Sequence, residues 1–253
     1  MKIKTILNRF STLAITAIIL IPTNSSAGVV NRSVDGLELT IYELGSNKSK
    51  PLYKGVYSIK EEGGKLNQIN TITDMSGKVV ATEKLTEVKG KFYSYEYHRL
   101  NAGEGGDVTL KGNTLYYKYT IQGKTETEDL ELPVNYVVGA GLTSHVRGKW
   151  NEILAGKEVH IRYGVVDRQD IYRFKLFKIG TGKLNGKDTI NVQMMPATWL
   201  ISKLVKPLYF KFSTDGADVY EIEGRTILLK QVGKKWKPLD GHTVYHHDRH
   251  KKQ

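Results

Sequence analysis

The stretch "NYVVGAGLTSHVRGKWNEILAGKEVHIRYGVVD", residues 135–167, decides the fold. An apolar strand runs into Gly139-Ala140-Gly141, a helical pattern follows, and a second strand ends on Asp167. In that order these are the parts of a dinucleotide-binding unit, but the details contradict it. The third glycine of that fingerprint, needed where helix and strand pack closely, is replaced by Ser144. Asp167 lies 28 residues after Gly139, beyond the spacing of about 20 at which an acid meets a ribose. Strands of a doubly wound sheet are buried on both faces and read as continuous apolar runs. "EVHIRYGVV" (158–166) instead sets His160 and Arg162 against Val159, Ile161 and Tyr163. No second βαβ pattern accompanies it, and a motif outside its structural context is only a pattern. The sequence therefore predicts no nucleotide cofactor. Gly139 and Gly141 read as a sharp turn that lifts the chain out of a sheet and into a helix.

That helix is predicted over residues 142–155. Leu142, Val146, Trp150, Ile153 and Leu154 fall on one stripe, with His145, Arg147, Lys149 and Glu152 mainly off it. Thr143 or Ser144 can cap its start, and Gly156 stands where a left-handed C-terminal residue is wanted. On either side the chain reads as strands. From Leu37 to Leu132 segments such as "LELTIYEL", "KVVATEKLTEV" and "TLYYKYTIQG" alternate apolar with polar residues and are punctuated by glycine or asparagine about every ten positions. After the helix come "EVHIRYGVV", "IYRFKLFKI", "DTINVQMM", "LYFKFS", "DVYEIEG" and "TILLKQV". The expected fold is mainly β: a curved antiparallel sheet or barrel-like meander, with the helix plugging or flanking its open side. Val146, Trp150 and Leu154 are the residues expected to face inward. "ATWLISKLVKP" predicts a second short helix over about 198–205, ending before Pro207.

The N-terminus has the layout of a secretory signal peptide. Lys2, Lys4 and Arg9 precede an apolar run from Leu13 to Ile21, with Ser25 and Ala27 at the −3 and −1 positions of a cleavage site. The run is too short for a bilayer, which needs about 20 apolar residues. Residues 1–27 are expected to be removed, leaving 28–253 with a single all-β domain over 28–239, exported to the periplasm or secreted. Loss of three basic residues lowers the net charge from +12 to +9. With no cysteine in the chain, stability must come from packing, and thiol redox or thiolate-zinc chemistry is excluded. The positive charge suits anionic headgroups or acidic envelope polymers, or serves solubility alone.

Local patterns point to no catalytic residue. Ser144 and His145 are adjacent, and neighbours on a helix point about 100° apart. No G-x-S-x-G elbow is present, and Glu61 and Glu62 fall on opposite faces of a regular strand. The final residues, 240–253, form a basic, histidine-rich tail expected to be frayed or disordered. Within it His242, His246 and His250 are spaced i, i+4, i+8. On a helix they would line one face and could hold a divalent transition metal, although the segment carries weak helix formers.

Over residues 142–179 the pattern resembles a group of uncharacterised exported bacterial β proteins, related to a periplasmic domain-of-unknown-function family. The resemblance rests on Trp150, Ile153, Gly156, Val165, Arg168, Phe174 and Leu176, and extends more loosely across residues 50–230. It implies an all-β, barrel-like or strongly curved sheet and no established activity.

The leading functional expectation is a non-enzymatic envelope protein that binds a lipid or other hydrophobic molecule in or beside the curved sheet. The alternatives are a basic surface that binds anionic envelope polymer or headgroups, and an unrecognised hydrolase. A spanning barrel is rejected because the outward faces are too polar for lipid.

Overall fold

The computed structural model describes residues 35–199, 203 and 205–247. The expected signal peptide and His250 lie outside the described residues, as does half of the second helix expected at 198–205.

Fifteen strands form one sheet among these residues. The first eight are β1 (Leu37–Glu43), β2 (Pro51–Glu62), β3 (Lys65–Asp74), β4 (Val79–Val88), β5 (Lys91–Arg99), β6 (Glu104–Lys111), β7 (Thr114–Ile121) and β8 (Lys124–Glu131). Then come β9 (Tyr136–Val138), helices α1 (Gly141–Gly148) and α2 (Trp150–Leu154), β10 (Val159–Val165) and β11 (Asp170–Leu184). The chain closes with β12 (Lys187–Pro196), β13 (Leu208–Ser213), β14 (Val219–Val232) and β15 (Lys235–Tyr245). The spatial order runs β8 back through to β1, then β15 back through to β9, so β1 and β15 meet at the middle of the sheet. Every pairing is antiparallel except β9 with β10, which the helices join as a crossover, the connection that parallel strands require.

Chain connectivity shows how strongly the sheet curves. Laid flat, fifteen strands about 4.8 Å apart would hold the two edges about 65 Å apart. Only residues 132–135 connect β8 at one edge to β9 at the other, a reach of about 17 Å. The sheet must therefore curl until its edges approach each other. They are not hydrogen-bonded to each other, so the sheet is open rather than a closed barrel. Register shifts in β1–β2, β3–β4, β4–β5, β11–β12, β13–β14 and β14–β15 supply the bends.

The concave side is filled by the protein's own side chains. Val146, Trp150 and Ile153 pack with Val159, Ile161, Leu176, Val192, Phe210 and Phe212 of β10–β13. Val166, in a 3-10 turn between β10 and β11, packs with Leu85, Tyr95, Val108 and Tyr117 of β4–β7. Leu228 of β14 packs against Leu39, Ile41, Ile72 and Val80. Arg99 of β5 reaches across to donate its Nε hydrogen to the Ile227 carbonyl at 2.6 Å. The interior expected to admit a hydrophobic ligand is, around the helices, a packed core.

Four expectations are corrected. The single helix over 142–155 is two short ones, broken at Lys149 (φ −109°, ψ 13°), next to the poor helix former Gly148. The break turns α2 so that Trp150 and Ile153 face the sheet, while Leu154 is 37% exposed rather than inward-facing. No side chain caps α1, which starts from Ala140; Thr143 instead donates to the Ala140 carbonyl. The segment from residue 240 is no frayed tail as far as Tyr245, because β15 holds it between β1 and β14. Gly139 does turn with positive φ (+48°), and a β-carbon there would lie 2.0 Å from the Tyr95 ring. Gly156 takes the left-handed conformation (φ +76°) that ends α2.

Candidate functional site

The outer, convex face at the middle of the sheet carries an unexpected buried charge. In β14 the alternation "YEIE" sends Ile222 inward and Glu221 and Glu223 outward. Lys211 of β13 lies directly opposite Glu221, and His242 of β15 directly opposite Glu223. Opposite charges facing each other across strands attract, yet an outward carboxylate would ordinarily meet water. Glu221 is 1% exposed.

Its cover comes from the loop between β1 and β2. Asn47 and Lys48 both adopt positive φ there, and Ser46 and Ser49 brace the turn by donating to the carbonyls of Glu43 and Ser46. Lys48 thereby reaches back over the sheet and pairs with Glu221 Oε1. Lys211 Nζ lies 2.6 Å from Oε2. His242 Nε2 lies 3.3 Å from the same oxygen, and its Nδ1 lies 3.6 Å from Glu223 Oε1. Burial pushes the Glu221 carboxyl up, but the neighbouring His242 ring and the Lys211 and Lys48 ammonium groups outweigh it and hold the group well below the usual carboxylate range.

Two clefts flank this cluster and share Lys48. One, of about 350 Å³, is walled by Leu184, Val244 and Tyr245 and carries Lys187, His246 and His247. The other, of about 340 Å³, lies between the loop at Leu44–Asn47 and the pair Glu223 and His242. His246 Nε2 is 2.8 Å from Thr40 Oγ1. His247 is buried, with Nε2 2.7 Å from the Val219 carbonyl and Nδ1 3.6 Å from Asp218.

The chemistry open to this arrangement is limited. Glu221 is ionised, so it cannot donate a proton, and lysine engages both of its oxygens, so it is a poor base. A convergent carboxylate, histidine and lysine set beside a cleft suits binding better than proton transfer. Glu221, Glu223 and His242 bring one ligand atom each within 4.8 Å of one another, the donor set among the described residues able to hold a metal.

The residues singled out in the sequence separate into two places. Val146 and Trp150 belong to the helix–sheet core; Trp150 packs on Phe212 (ring centroids 5.2 Å apart) and donates its indole hydrogen to the Thr214 carbonyl at 3.1 Å. His242 and His246 lie at the outer-face site, on and just past a strand rather than on one face of a helix. Glu221, Glu223, Lys48 and Lys211 were not foreseen. The alternation of "YEIE" and "YFKF" puts Glu221, Glu223 and Lys211 on one strand face, but only the register across strands brings them together, and Lys48 reaches them from a loop.

No family model matches the chain, and no curated protein matches it. Among solved structures it is distantly similar to a β-barrel-like protein of domain of unknown function DUF1849 from Brucella abortus. That match is 11% identical, covers 83% of this chain and 92% of that one, and has a TM-score of 0.44. A porin-like protein from Bacteroides uniformis is 7% identical over 83% of this chain and 96% of that one, with a TM-score of 0.22. Among the described residues no helix is long and apolar enough to cross a membrane.

Proposed function

We propose that this is an exported, non-enzymatic binding module of the cell envelope that takes an anionic group in the cleft beside Lys48. The ligand chemistry is a phosphate- or carboxylate-bearing headgroup, or the equivalent group on an acidic envelope polymer. One observation carries the reading. The larger cleft brings together two lysines, Lys48 and Lys187, and two histidines, His246 and His247, against a single carboxylate, Glu221. That carboxylate is already neutralised by Lys48 and Lys211, so the surplus potential is positive. The signal-like N-terminus and the basic composition support the same setting. A hydrophobic ligand held inside the sheet is the weaker reading, because Val146, Trp150 and Ile153 occupy the space beside the helices.

The test is titration of the full mature chain with glycerol phosphate, anionic vesicles and an acidic polysaccharide, followed by amide chemical shifts or calorimetry. Binding of at least one probe, weakened at about 0.5 M salt where charges are screened within a few ångströms and weakened by Lys187→Glu, is expected. Binding that ignores both salt and Lys187→Glu, or no binding of any probe at low salt, overturns the proposal. The relative affinities of the three probes tell headgroup from polymer.

A further inference from the structure

The ligand atoms of Glu221, Glu223 and His242 already converge within 4.8 Å. Around one ion with bonds of about 2.0–2.2 Å, neighbouring ligand atoms stand up to about 4 Å apart, so a small closure would complete the set. An independent observation at the same point concerns His242. The residue is 9% exposed, and its Nε2 is buried with no hydrogen bond. It lies 3.3 Å from Glu221 Oε2 as an ion-pair neighbour, without the alignment of a hydrogen bond. A buried nitrogen that lies beside a carboxylate without a hydrogen bond leaves a cost that a bound ion would remove.

Lys48 holds Glu221 Oε1, an oxygen of the same carboxylate. Its side chain is about one-third exposed, and it sits on a loop rather than on the sheet. The smaller cleft, lined by Lys48, Glu223 and His242, opens directly onto it. Lys211, fixed on β13, would stay on Glu221 and offset part of the added charge.

We propose that Glu221, Glu223 and His242 form a binding site for a divalent transition-metal ion of the zinc class, taken up through the smaller cleft in exchange for the Lys48 ammonium. Two carboxylates and one imidazole suit zinc and its neighbours rather than calcium, which prefers an all-oxygen set. Three protein ligands leave a coordination position facing the cleft, open to water. The site does not depend on the anion reading: Lys187 lines only the larger cleft, so Lys187→Glu should leave metal uptake unchanged.

The experiment is calorimetric titration of the full mature chain with Zn²⁺, and cobalt absorption after titration with Co²⁺. Wild type, His242→Ala, Glu223→Gln, Lys48→Ala and His250→Ala are compared, with circular dichroism to confirm folding. One site per chain is expected. It should weaken at least about tenfold in His242→Ala and Glu223→Gln, tighten in Lys48→Ala, and hold in His250→Ala. The Co²⁺ d–d bands should disappear with Glu223→Gln, a half-exposed residue whose loss spares the fold, so the test survives even if His242→Ala does not fold. Equal zinc affinity in wild type and Glu223→Gln, or loss of uptake on His250→Ala, overturns the site. So does weaker binding in Lys48→Ala.

Discussion

Trp150 and Gly216 make one contact whose energetics can be worked out and checked. Gly216 sits in the β13–β14 hairpin with φ +72°, and a β-carbon there would stand 2.3 Å from Trp150 Cδ2. Gly216→Ala therefore carries two costs. A non-glycine residue in the left-handed region costs about 1–2 kcal/mol, and forcing the indole aside costs about 1–3 kcal/mol. Trp150→Ala removes a buried indole, its packing on Phe212 and its bond to the Thr214 carbonyl, for about 3–5 kcal/mol. In the double variant the clash has nothing to strike, while the backbone strain persists. The double loss should fall short of the sum of the singles by about 1–3 kcal/mol. Urea unfolding followed by far-ultraviolet circular dichroism measures all four proteins without relying on the fluorophore being removed. Additivity to within about 0.5 kcal/mol, the behaviour of independent sites, would refute the reasoning that Gly216 is glycine because of Trp150.

Further outcomes are expected elsewhere. Ile153→Ala should cost about 2–5 kcal/mol and Leu154→Ala under about 1 kcal/mol, since Ile153 is fully buried and Leu154 is not; equal losses in thermal unfolding would show that α2 is rotated differently. Glu221→Gln should cost about 2–4 kcal/mol at neutral pH, somewhat under the usual loss for a broken buried pair, because Lys48 and Lys211 can turn to water. A carboxyl whose pKa is depressed on folding stabilises above its unfolded value near 4.5 and loses that contribution as pH falls toward the folded value. The gap between wild type and Glu221→Gln should therefore narrow as pH drops below 4.5; a gap constant between neutral and strongly acidic pH in urea titrations would contradict it.

What the sequence discloses follows the range of the interaction concerned. Period-two alternation depends on nearest neighbours, and so the meander, the helical interruption and the turns at Gly139 and Gly156 were legible. β15 was not. "KWKPLDGHTVY" contains Pro238 and Gly241 and few apolar residues, all signals against a strand. It is a strand because β1 and β14 pair with it on both sides, and because Gly241 lets Ile41 and Thr226 approach to 3.0 and 3.2 Å from where its β-carbon would be. The helix break at Lys149 escaped for a similar reason. The heptad-like stripe includes Leu154, but the position of Phe212 and the Thr214 carbonyl fixes where Trp150 must point, and α2 follows. The outer-face site was half visible. His242 stood out by its residue type, whereas Lys48 and Glu221 are 173 positions apart and no local pattern joins them.

The meeting of β1 with β15 at the middle of the sheet also sets the order of assembly. Every other antiparallel pair joins strands consecutive in the chain, so two half-sheets, β1–β8 and β10–β15, can each zip up locally. The seam pairs Leu39 with Tyr245 and closes a loop of nearly the whole chain, an entropic cost that grows only slowly with length. A ribosome or export channel delivers the N-terminal half first, leaving the bare hydrogen-bonding edge of β1 to wait for the last strand. Such an edge invites pairing with another chain. Chains truncated before residue 235 should consequently aggregate through β1 rather than simply lose their last strand.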